Sequence, residues 1–158
     1  MKDLTKKALR EAYVELVRKG MKVISVSDVC EVCEASRNTF YYHFSDIADL
    51  IESIAVQWID SPEAAPCFEK SSLAECCAAF IEQCEANRDF VRAYCFAVNQ
   101  KMFIRALSRT ADYAAARCME KVSFDGCTKD LCRCAFMGYF MEWLCSDDSN
   151  WANRAIRE

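Results

Sequence analysis

The chain has 158 residues, 53% of them hydrophobic and 28% charged, and a net charge of −4 at pH 7. That composition buries a sizeable core and excludes a disordered chain. Three Gly and two Pro are too few for the turns of an all-β fold, and neither a dinucleotide-binding nor a P-loop glycine pattern occurs.

The first predicted element covers residues 4–19. Leu9, Ala12, Tyr13, Leu16 and Val17 fall on one stripe at helical spacing, and Gly20 ends it. This segment, MKDLTKKALREAY at its start, lacks the apolar core of a signal peptide, which points to the cytoplasm. No apolar run is long enough to span a membrane. Ser25 and Asp28 make a capping box for a short helix ending near Cys33. Glu34-Ala35-Ser36 breaks the chain, and Ser36 caps a second short helix over about 37–43. Asp46 and Asp49 open the next helix, whose stripe is Ile47, Leu50, Ile51, Ile54, Ala55 and Trp58.

Residues 60–72 hold both prolines and almost no periodicity, so a domain boundary is expected there. It divides a segment 1–60 from a segment 61–158. Beyond it, Leu73, Cys76, Cys77, Phe80, Ile81 and Cys84 share a helix face. Asn87-Arg88-Asp89 reads as a helix joint, followed by Phe90, Val91, Tyr94, Cys95 and Val98 on another helix. A further helix is expected over about 110–122, broken at Phe124-Asp125-Gly126. The last strong helix covers about 128–145, and a short one about 148–157. Residues 135–141 of the former are apolar all round, which requires cover on two sides. One side is the chain's own domain and the other is expected to be a second subunit. The fold class is therefore all-α: a three-helix N-terminal unit followed by a helical bundle.

Two short helices joined by a three-residue break, behind a longer helix, are the parts of a helix-turn-helix. Phe40 and Phe44, four residues apart, can face the core. Arg37, Asn38, Thr39, Tyr41, Tyr42 and His43 then remain outside, with donors suited to phosphates and base edges. The plain alternative is that Tyr and His merely finish a helix surface.

Ser25-x-x-Asp28-Val29, followed by Ala35-Ser36-Arg37-x-Thr39-Phe40-Tyr41-x-His43-Phe44-x-Asp46-x-x-Asp49-Leu50, resembles the DNA-binding domain of the TetR/AcrR transcriptional repressors. The resemblance covers about residues 4–59. It implies an all-α homodimer that binds double-stranded operator DNA and carries a C-terminal domain responsive to a small effector. It implies that Arg37, Asn38 and Thr39 reach bases and nearby phosphates. Tyr41 and His43 would grip the backbone, Tyr42 would do either, and Ser25 joins the DNA-binding set. The N-terminus of the helix after Asp46 would face a phosphate.

The sequence departs from the family pattern in three ways. Glu34 stands where Gly is common, and Ile47 stands where Lys is common. Residues 23–60 hold one Lys/Arg against seven Asp/Glu, whereas residues 1–22 hold seven against three. Binding should therefore depend strongly on salt, with Lys6, Lys7 and Lys22 supplying part of the positive field.

The C-terminal half offers an aromatic and Met set for an effector pocket: Phe80, Tyr94, Phe96, Phe103, Tyr113, Met137 and Met141. A plain bundle core is the alternative, and Asn99, Gln100 or Arg105 are polar anchors that nothing selects among. Phe136, Gly138, Tyr139, Phe140 and Trp143 form the expected dimer seam. Gly138 either admits a close helix or marks a packing gap. Twelve Cys in a chain without a signal segment read as small core hydrophobes. Cys30-x-x-Cys33 packs the short helix, cycles as a disulfide, or holds a metal. No metal, cofactor or catalytic arrangement is expected. The one His has no nucleophile paired with it in a recognisable signature, so an enzyme is not expected.

Overall fold

The computed structural model describes residues 2–70, 72–119 and 126–147. Among them the regular elements are nine helices: α1 (Lys2–Arg18), α2 (Val26–Val32), α3 (Arg37–His43), α4 (Ile47–Ile59), α5 (Ala65–Phe68), α6 (Leu73–Ala86), α7 (Arg88–Phe96), α8 (Gln100–Met119) and α9 (Gly126–Cys145). The all-α expectation holds. The short helix expected at 148–157 lies outside the described residues.

Each early boundary has a local chemical cause. Gly20, at φ +78°, turns the chain out of α1, and its N–H and that of Met21 bond the carbonyls of Val17 and Leu16. Ser25 and Asp28 form the reciprocal capping box of α2. The Ser36 hydroxyl accepts the Thr39 N–H at 3.0 Å to start α3. Asp46 Oδ1 accepts the N–H groups of Ala48 and Asp49 to start α4.

Two later elements differ from the sequence reading. Within 60–72 there is a single helical turn, α5, with Pro66 in its first turn and Cys67 and Phe68 buried. The turn is too short to register as periodicity. Helix α8 begins at Gln100 rather than near 110, because the Asn99 side chain accepts the Met102 N–H at 3.0 Å and caps it. Asn99 is thus a helix cap here.

The chain forms two compact units. The first joins residues up to 55 with residues 89–106. Its core includes Leu9, Tyr13, Leu16, Phe40, Phe44 and Leu50, all buried. The Tyr13 hydroxyl donates to the Tyr94 carbonyl at 3.0 Å, and the Tyr94 hydroxyl donates to the Ile51 carbonyl. Their rings meet edge to face, with centroids 5.5 Å apart. Burial pushes both phenols well up, so both remain protonated donors. These bonds tie α1, α7 and α4 together behind the helix-turn-helix.

The second unit holds residues 56–88 and those from 107 onward. Phe80 is its hub and meets the rings of Trp58, Phe68, Phe136 and Phe140. The fully buried Trp143 donates its indole N–H to Glu85 at 2.6 Å. The Arg88 guanidinium lies over the Trp143 ring and donates to the carbonyls of Trp143 and Ser146 at the end of α9. Carbonyls at a helix end have spare acceptor capacity, and a cation beside them is favoured by the helix dipole.

Candidate nucleic-acid interface

Helix α3 is anchored from beneath by two aromatic side chains. Phe40 is fully buried and Phe44, which caps its C-terminal end, is 2% exposed. That anchoring turns the other face out. Arg37, Asn38, Tyr41 and Tyr42 are exposed, and Thr39 and His43 are half-buried. Tyr41 and Tyr42 keep 56% and 62% of their surface in solvent, a costly display of aromatic area unless something covers it. The six outward residues expected on α3 therefore share one short surface helix.

Several of them already have partners. The Arg37 guanidinium bonds the Ser27 hydroxyl of α2. The Thr39 hydroxyl pairs with Ser36 at 2.8 Å. Ser25 is exposed, but its hydroxyl donates to Asp28 at 2.6 Å, so its first role is in the capping box. The bonds from Ser25 hold the Asp28 carboxyl below the usual range.

The turn before α3 departs from the common pattern at the backbone. Glu34 sits at φ +52°, the left-handed region, where the described residues hold no other non-glycine. A side chain there costs about 1 kcal/mol relative to Gly. Both flanking bonds, Glu34 N–H to Glu31 and Ala35 N–H to Cys30, close the turn regardless.

Positive charge reaches this acidic head from outside the helix-turn-helix. Lys6 of α1 places its Nζ 5.5 Å from the centre of the Phe44 ring, beside the end of α3. Lys22 is exposed, whereas Lys7 pairs with Glu11 at 3.7 Å along α1. Arg105 of α8 forms an ion pair with Asp46, the cap of α4. Partial burial pushes the Asp46 carboxyl up. The Arg105 bond and charge and the N–H groups of Asp49 and Ala48 outweigh it and hold the pKa below the ordinary value. Arg105 thus brings a guanidinium to the helix start where Ile47 replaces the customary Lys. Its role was not selectable from sequence, because Asp46 and Arg105 are separated by most of a domain.

Residues 8–54, the span that contains all of this geometry except Lys6, Lys7 and Arg105, match the family model described as bacterial regulatory proteins, tetR family. Residues 8–54 thus resemble a DNA-binding domain of the tetR type. A solved structure of a TetR family transcriptional regulator, PfmR from Thermus thermophilus, is similar at 18% identity over 96% of this chain and 90% of that one, with a TM-score of 0.41. No curated protein matches the chain. No helix among the described residues is long and apolar enough to cross a membrane.

The other expected positions divide between the two units. Of the aromatic and Met set, Phe80 alone lines the cavity found in the second unit. Met137 and Met141 are half-buried on α9, and the Tyr113 hydroxyl is bonded to Asp60. Tyr94, Phe96 and Phe103 belong to the first unit. Tyr94 is spent on Ile51, and Phe96 and Phe103 contact each other, with Phe96 48% exposed. Of the seam residues, Phe136, Phe140 and Trp143 are buried inside the second unit itself. Gly138 is exposed and Tyr139 half-buried. The exposed positions of α9 are Asp130, Leu131, Cys134, Ala135, Gly138, Glu142 and Cys145.

Cys30 and Cys33 lie against backbone carbonyls, Cys30 on Ser36 and Cys33 on Val29. Burial, and then Cys33, pushes the Cys30 thiol up, against the pull of Arg37. This is the environment of a packing cysteine rather than a reactive one.

Proposed function

We propose that the chain acts in the cytoplasm as a dimeric repressor and not as an enzyme. It reads a pseudo-palindromic operator with α3 and leaves it when a small effector binds. The observation that carries the reading is the exposed Arg37, Asn38, Tyr41 and Tyr42 face on a helix pinned by Phe40 and Phe44. Phosphate contacts would set the register, and Arg37, Asn38 and Thr39 would read base edges in the major groove. Two such helices about one duplex turn apart would give the operator its two-fold symmetry. The outward side of α9 supports a second copy: Leu131 is 65% exposed, and nothing lies within 4 Å of where a Gly138 side chain would begin.

The decisive experiment selects DNA fragments of the source genome with the purified protein, at low and at physiological salt. Enrichment of one palindromic site is expected, with affinity falling steeply as salt rises. Absence of any enrichment at either salt would replace this reading with that of an interaction module on a DNA-binding scaffold.

A further inference from the structure

The second unit gathers four cysteines, Cys76, Cys77, Cys118 and Cys132, around its cavity, which at about 10 Å³ has room for roughly one water-sized sphere. The first unit gathers charge instead, and part of it comes from far outside the helix-turn-helix. Between Asp89 and Asp112 the chain carries Arg92, Lys101, Arg105 and Arg109 and no Asp or Glu. Residues 23–60, with one Lys/Arg against seven Asp/Glu, are the opposite. The stretch 89–106 belongs to the same compact unit as that acidic head.

Two long-range bonds fix where the stretch lies. The N–H of Ile24, the residue before the α2 cap, donates to the Ala97 carbonyl at 2.6 Å. Arg105 pairs with Asp46, the cap of α4. The first turns of α8 are thus held beside the starts of both α2 and α4. Lys101 sits between the two tethers, exposed and, among the described residues, without an ion-pair partner. It shares a face of α8 with Arg105, four residues on. Arg105 is engaged with Asp46, and Lys101 is not. A cation in the first turn of a helix opposes the helix dipole, α8 has no acid in that turn, and a like charge four residues on adds repulsion. An anion in front of Lys101 removes both costs.

The place of that anion follows from α3. Its seven residues make a helix about 10 Å long, which a major groove about 12 Å wide admits. A strand of phosphates borders such a groove on each side. Asp46 follows the end of α3 by three residues, so the strand at that end meets a carboxylate. Arg105 neutralises that carboxylate, and Lys101 lies one turn back along α8.

We propose that Lys101, backed by Arg105, is a phosphate-contact rim outside the helix-turn-helix, gripping the backbone of the duplex that α3 reads. It supplies the cation that Ile47 lacks at that edge, from a segment more than fifty residues further along the chain. The proposal rests on the operator-binding reading and adds a contact to it.

The test is the salt dependence of duplex binding by the full chain, on the selected operator and on an unrelated duplex of equal length. Lys101→Ala should reduce the slope of log affinity against log salt by about 0.9 in magnitude. It should weaken binding to both duplexes alike, by about tenfold at about 50 mM salt, because a phosphate contact carries no sequence information. Lys101→Arg should restore both quantities. An unchanged slope in the folded Lys101→Ala protein, or a loss confined to the operator, overturns the rim. Acetylation of wild-type lysines, read by mass spectrometry, needs no variant: Lys101 should react severalfold more slowly on the operator, and an equal rate with and without DNA overturns the proposal. The two readings fail separately. Loss of operator binding in Thr39→Ala/Tyr41→Ala, with the wild-type slope kept in Lys101→Ala, removes the rim alone. Salt-dependent binding without sequence preference, weakened by Lys101→Ala, keeps the rim and removes the operator reading. No binding of either duplex by the wild type removes both.

Discussion

The reading head and the second unit solve opposite problems with similar helices. The head must hold a polar surface still, so it spends short-range bonds on position: Ser25 with Asp28, Ser36 with Thr39, Asp46 with Ala48 and Asp49. Two aromatic anchors, Phe40 and Phe44, fix α3 from below. The second unit holds its helices together through rings and thiols around Phe80. The first kind of order is directional and close in sequence. The second is long-range and nearly non-directional. Changes in the head should therefore alter recognition at nearly constant stability, and changes around Phe80 should do the reverse.

The largest effect is expected at the hub. Phe80→Ala removes a buried ring with four aromatic neighbours and should cost about 3–5 kcal/mol in urea unfolding. A loss below about 1 kcal/mol would mean that the second unit is not organised around that ring. In the head, the Thr39→Ala/Tyr41→Ala double variant should lower operator affinity by about 100-fold or more, at about 1–3 kcal/mol per lost contact. Its melting temperature should stay within about 2 °C of the wild type, since neither side chain is core. Unchanged affinity would remove α3 from the interface.

Arg105→Ala sits between these extremes. It should weaken operator binding modestly and flatten its salt dependence, as expected when one phosphate-neutralising cation is lost. An unaltered salt slope would confine Arg105 to holding Asp46. The pH response separates the two partners further. The folded pKa of Asp46 is lowered, so its contribution is present above its unfolded value near 4 and is lost as pH falls through the lower folded value. In Arg105→Ala that loss should begin at higher pH, which carboxyl NMR titration would read. An identical Asp46 titration in both proteins would show that the ion pair does not govern it.

The smallest change is Glu34→Gly. It relieves the left-handed strain and should stabilise the chain by up to about 1 kcal/mol, partly offset by the greater freedom of glycine when unfolded. It also removes a negative charge from the head, so operator affinity should rise at low salt. A lower melting temperature would show that the turn needs the Glu side chain.

The two kinds of order also decide what was legible in the sequence. Every cap in the head spans three or four residues, so Ser25, Ser36 and Asp46 could be read directly, and the Phe40 and Phe44 spacing showed which face of α3 points out. Helix α9 gave no such guidance. It is apolar on several sides, and periodicity could not tell that Phe136, Phe140 and Trp143 turn inward while Leu131 and Gly138 face out. The partners within that aromatic set, Tyr94 with Ile51 and Phe80 with Phe136, depend on tertiary packing. The thiols of the cavity were visible as composition but not as a cluster. Asn99 reads as a ligand anchor as readily as a cap, because the two look alike until the start of the helix is known.

Arg88 opens α7 while closing the last turn of α9 and covering the Trp143 ring. A single guanidinium thus couples two chain segments more than fifty residues apart. The amides at the end of α9 and those at the α6–α7 joint should consequently exchange with solvent on one clock. Their shared opening makes this corner a single cooperative unit rather than two independently fraying helix ends.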